Sequence, residues 1–147
     1  MKLLKLYDLI AGSKTDFTSQ FKNNNALYEQ ASSFWDQLEG SSAIIVLMFV
    51  VLGIAWAATY YKPYNNLPGR HYTPKHWLLF LALTFVSTLL LTFGFEYFAA
   101  HPSLNGAVLL ELKIAIGNAL YASLLYFVTS FVWCNWFPTN AYRWFKL

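Results

Sequence analysis

Three long apolar runs set the pattern of this chain, at residues 42–61, 77–98 and 107–136. No charged residue falls between Ala43 and Tyr60, between Trp77 and Phe95, or from Ile114 to Tyr142. A helix that crosses a bilayer needs about 20 predominantly apolar residues, and each run reaches that length. The pattern predicts an all-α integral membrane protein with three transmembrane helices over residues 41–147. An extramembrane amphipathic helical arm, residues 1–40, precedes them.

Within the arm, residues 1–11 place Leu3, Leu4, Leu6, Tyr7, Leu9 and Ile10 beside Lys2, Lys5 and Asp8. That composition suits a short helix lying in a membrane interface or a segment packed on the protein itself. Gly12 to Asp16 breaks it, and the stretch from Ser19 to Asn25 is polar. From Asn25 to Glu39 the pattern is helical again. Leu27, Ala31, Phe34 and Leu38 recur at steps of 4, 3 and 4, which draws one seam along a helix, and Trp35 widens it. The same spacing continues through Ser41, Ile45, Met48 and Leu52. The arm and the first span can therefore form one helix, bent at Gly40-Ser-Ser. The seam needs a partner, either another copy of the chain or the rest of the arm. It is shorter than the three or four heptads that mark a coiled coil.

Composition agrees with the apolar runs. The chain is 57% apolar, 20% aromatic and 12% charged, against about 25% charged in a soluble protein. The formal charge of +3 is too small to indicate nucleic acid as a partner. Its distribution is more informative. Lys62, Arg70 and Lys75 fill the first loop and Arg143 and Lys146 follow the third span, whereas only Lys22 and Lys113 lie near a membrane end on the other side. Lys and Arg close to spans set orientation, so the expected topology is N-terminus out and C-terminus in. The lack of an Arg-rich transit segment favours a bacterial inner membrane. Met1-Lys-Leu-Leu-Lys does not extend into a signal peptide, because Asp8 interrupts the apolar run.

Pro63, Pro68-Gly69 and Pro74 stop the helices around the first loop, and Pro102 and Gly106 do so around the second. Tyr60, Tyr61, Trp77, Trp133, Trp136, Phe137 and Trp144 read as an aromatic belt at one interface. Gly53 and Ala57 form a small-xxx-small pair that allows close helix approach. The single cysteine, Cys134, excludes an intrachain disulfide and is expected to be a buried thiol.

The charges nearest the spans are Glu96, Glu111 and Lys113. The third run of 30 residues makes about 45 Å of helix against a hydrocarbon core of about 30 Å. Its surplus therefore carries Glu111 and Lys113 into the outer headgroup region, level with Glu96. A wet Glu96–Lys113 pair is one expectation there, and it would contribute little to stability. At membrane depth the polar residues are neutral. Thr84, Thr88 and Thr92 recur every four residues toward Glu96, with Ser87 beside them, and the third span offers Asn118. Two readings compete for this stripe. In one, the hydroxyls bond back to their own helix and Asn118 ties helices together. In the other, the stripe lines a wet pore between copies of the chain.

His71, His76 and His101 fall outside the spans, so haem ligation is not indicated. The sequence carries no metal motif, no phosphate-binding loop and no nucleophile–base set. No cofactor or metal is expected, and an enzyme is not. The polar stripe, the acidic mouth at Glu96, Glu111 and Lys113, and the seam of Leu27, Ala31, Phe34 and Leu38 together favour a homo-oligomeric ion-conducting pore. The alternative is a non-catalytic transmembrane subunit or anchor of a larger inner-membrane complex. The partners expected are the lipid bilayer and either further copies of the chain or other membrane subunits.

Overall fold

The computed structural model describes residues 3–67, 74–141 and 145. Pro68, Gly69, Arg70, His71, Arg143, Trp144 and Lys146, which enter the loop, orientation and belt arguments above, lie outside the described residues. The described chain is helical throughout, without strands. A 3-10 turn (Leu3–Tyr7) leads into α1 (Asp8–Ala11) and α2 (Lys14–Ser19). The long helices α3 (Asn25–Thr59), α4 (Pro74–Ala100) and α5 (Ala107–Trp136) follow. Three helices are long and apolar enough to cross a membrane, which suggests a membrane location.

Local chemistry fixes the ends of these elements. Gly12, at φ 82°, ends α1 in a conformation that side chains disfavour. Ser13 then caps α2. Its hydroxyl accepts from the Asp16 N–H, and the Asp16 carboxylate accepts from the Ser13 N–H in return. The Asn24 side chain caps α3 by accepting from the N–H groups of Ala26 and Leu27. A π-type turn, Tyr60–Tyr64, carries Pro63 and ends α3. Pro74 opens α4 at the position where its missing N–H costs nothing. Pro102 follows its last turn. Gly106, at φ 88°, turns the chain into α5.

Helix α3 passes through Gly40-Ser-Ser without interruption, so no break in secondary structure marks residue 40. Compactness divides the chain differently. One unit is Met1–Met48 with Leu89–Asn118, and the other is Phe49–Thr88 with Ala119–Leu147.

In the first unit the seam finds its partner within the chain. Ala31, Phe34, Trp35 and Leu38 are buried, and the rings of Phe34 and Trp35 lie 6.1 and 6.2 Å from that of Phe17 on α2. Only Leu27 stays open, at 38% exposure. Of the two partners open to the seam, the arm supplies the one observed. The physical reason is local: the capped α2 delivers Phe17 to the α3 face where the seam runs.

The second unit is built on aromatic rings. Ala57, Tyr60, Tyr61, Trp77, Phe80, Tyr126, Cys134 and Ala141 form its buried cluster. Tyr60, Tyr61 and Trp77 therefore do not stand in a belt facing lipid. The polar atoms of two of them find partners inside: the Trp77 indole N–H donates to Ser130 Oγ at 3.1 Å, and the Tyr61 hydroxyl lies 3.4 Å from Cys134 Sγ. Trp136 and Phe137 remain exposed. Cys134 is a free, buried thiol. Gly53 allows close approach of α3 and α5 here, since a Cβ at this position would lie 2.8 Å from the Ala122 carbonyl oxygen.

Candidate functional site

The first unit concentrates buried polar groups. Asn118 is fully enclosed. Its amide nitrogen donates to the Ile45 carbonyl at 3.0 Å and to Thr92 Oγ1 at 2.7 Å. Its amide oxygen accepts from the Tyr7 hydroxyl at 2.7 Å. The Thr92 hydroxyl in turn points to Met48 Sδ at 4.0 Å. One side chain thus joins the N-terminal turn, α3, α4 and α5. Gly117 leaves room for this: a Cβ there would come within 2.9 Å of the Tyr7 ring. Bonding both amide hydrogens and the oxygen at once is what makes a buried asparagine tolerable.

A second polar group in the same unit is acidic. Glu96 is 1% exposed and Glu111 is 0% exposed. Glu111 is held by His101, whose Nδ1 lies 3.0 and 3.2 Å from its two carboxyl oxygens. The His101 side chain is 25% exposed and its ring stacks on Tyr97 at 4.4 Å. Among the described residues, Glu96 has no hydrogen-bond partner on either carboxyl oxygen, and Glu111 acts on it electrostatically. The packing differs from the expected wet charges and from the expected Glu96–Lys113 pair. The cause is the short turn 101–106, which returns the chain so that His101 meets Glu111 one turn into α5 and encloses it. Lys113 instead lines a separate cleft of about 350 Å³ together with Asp8, Asp16 and Gly106.

The remaining members of the polar stripe belong to the second unit. Thr84 is buried and donates to the Phe80 carbonyl of its own helix at 2.8 Å. Ser87 accepts from the Trp56 indole N–H at 3.0 Å. Thr88 is buried, and its hydroxyl has no hydrogen-bond partner among the described residues. Thr84, Thr88, Thr92 and Asn118 are each at 0% exposure within one chain.

Sequence reasoning overlooked Tyr7, Tyr97, His101 and Gly117 as site residues. His101 carried a legible signal, since it stands ten residues before Glu111 across a turn bounded by Pro102 and Gly106. Tyr7 carried none, being 111 positions from Asn118. Among the described residues, no set of three His, Cys, Asp or Glu groups could hold a metal ion. No family model, curated protein or solved structure matches the chain.

Proposed function

We propose that the chain is a membrane-embedded, non-catalytic subunit or anchor, inserted in a bacterial inner membrane with its N-terminus out and its C-terminus in. The observation that carries this reading is the closure of the polar stripe within a single chain. A pore between copies would require Thr84, Thr88, Thr92 and Asn118 to face another protomer, and each is enclosed by its own fold. The seam on α3, the other motive for self-assembly, is covered by Phe17.

The outward surface supports the membrane half of the reading. Ile44, Leu47, Val51 and Ile54 recur along one line of α3 at exposures between 44% and 59%, as aliphatic side chains facing lipid would. Leu79, Leu83, Val86 and Leu90 do the same on α4, and Leu120, Leu124 and Phe127 on α5. Lys62 and Lys75, with Arg70, Arg143 and Lys146, carry the orientation by their excess on one side.

The mass of the purified chain in detergent, with bound detergent subtracted, tests the proposal. A single-chain particle that conducts no ions in planar bilayers is the expected result. A closed ring of several copies, with a conductance abolished by Thr84→Leu and Thr88→Leu together, would replace it with the pore.

A further inference from the structure

The Asn118 network is closed, whereas the acidic group is not. Glu96 has both carboxyl oxygens buried and without a hydrogen-bond partner among the described residues. Glu111, a second buried carboxyl group, acts on it electrostatically. An ionised carboxylate without a donor in such a place costs far more than the neutral acid, and a neighbouring carboxylate adds repulsion. The smallest ligand that resolves both costs is a proton. Glu111 is not isolated from the surface, because His101 touches both its oxygens and is itself partly exposed. Ionisable groups enclosed within membrane helices are where protons are held and passed.

We propose that Glu96 is a buried proton-holding site, loaded and unloaded through Glu111 and His101. In loading, a hydronium ion outside gives a proton to the second ring nitrogen of the partly exposed His101 and leaves as water. Its Nδ1–H passes a proton to a Glu111 oxygen, which returns the imidazole to neutral. Rotation of the Glu111 carboxyl then brings its O–H to Glu96, where a new O–H bond forms as the Glu111 O–H bond breaks. Unloading reverses each step, and no other reactant is consumed. Tyr97 stacks on His101 and holds the ring at the entrance. Of the other charged groups of this unit, Glu29 on α3 lies in a cleft with Pro102, and Lys113 on α5 shares another with Asp8 and Asp16. The site is independent of whether the chain works alone or within a complex.

Infrared spectroscopy of the purified protein in potassium buffer at neutral pH reads the proton directly. The folded chain should show the C=O stretch of a protonated carboxylic acid, shifted in D2O. Glu96→Gln, which keeps size and neutrality, should abolish that band, and Glu29→Gln, at an exposed position, should leave it. His101→Asn should retain the band but slow its deuteration. A folded protein without the band, or a band that survives Glu96→Gln, would overturn the assignment. Deuteration at an unchanged rate in His101→Asn would overturn the entry path. Loss of the band on adding sodium at constant pH would replace the proton with a metal cation.

Discussion

The two compact units differ in the groups that dominate their polar interiors. In the second, beside the buried Asn65, Thr84 and Thr88, polarity is carried on the tips of large rings: the indole N–H of Trp77 reaches Ser130, that of Trp56 reaches Ser87, and the Tyr126 hydroxyl donates to the Trp77 carbonyl. Each such residue buries far more apolar than polar surface, so its bond is an addition to packing that already favours the fold. In the first unit, polarity sits on short side chains with little apolar surface, namely Asn118, Thr92, Glu96 and Glu111. These contribute through their bonds or not at all. A unit of the first kind is specific but brittle, and a unit of the second kind is forgiving. The acidic pair is an expense that the ring-built unit avoids altogether, which is why a task beyond stability is sought there.

The comparison breaks most sharply at Asn118. Asn118→Leu removes three buried bonds at about 1 kcal/mol each, a loss of about 3 kcal/mol. Chemical denaturation in detergent should show this loss. Hydrogen exchange should quicken in Leu3–Ser19 while the ring cluster around Trp77 keeps its protection. Equal acceleration in both units would mean that they do not differ in the way described.

Glycine replacement sharpens the contrast next. Gly53→Val in the second unit sets a side chain against a backbone carbonyl that cannot turn away, and should cost about 2 kcal/mol by overpacking. Gly117→Val in the first unit meets the Tyr7 ring, which can swing aside. It should lower global stability less and instead free the N-terminal turn, seen as faster exchange in Leu3–Tyr7. A larger stability loss at Gly117 than at Gly53 would reverse the ranking.

The smallest effect lies at the surface of the first unit. The Asp16 carboxyl is held below the usual carboxylate range by the Ser13 hydroxyl first and by the Ser13 backbone N–H second. A carboxyl with a lowered folded value contributes stability above its unfolded value of about 4, and that contribution is lost as the pH falls through the folded value. Acidification through that window should loosen α2, and Ser13→Ala should blunt the response. The exchange rates of the α2 amides with pH would measure both. The exposed Lys14–Asp36 pair, at 2.7 Å, should be nearly neutral when removed.

Much of the fold was legible because it depends on near neighbours. The run of 107–136 reads directly as α5, and Pro74, Pro102 and Gly106 mark ends that depend only on their own backbone chemistry. The seam of Ala31, Phe34 and Leu38 was legible as a buried face, though its occupant was not, because Phe17 offers no period to match. The candidate site was legible in part. Asn118 and Thr92 stood out as polar residues in apolar runs, and Glu96 and Glu111 as charges near span ends. Their burial was not, since hydropathy along a helix places a residue in depth but says nothing of which side faces a neighbour. Three members of the expected aromatic belt departed from it for the same reason: Tyr60, Tyr61 and Trp77 have the composition of an interface and the packing of a core.

The bond between Tyr7 and Asn118 joins residues 111 positions apart. During synthesis the first helical turn therefore leaves the ribosome long before anything exists for it to dock on, because a chain emerges from its N-terminus onward. Phe17 can settle on Phe34 and Trp35 early, but the turn before it must wait for the third long helix. The Tyr7–Asn118 bond is thus one that forms late, and its formation reports that α5 has reached its place.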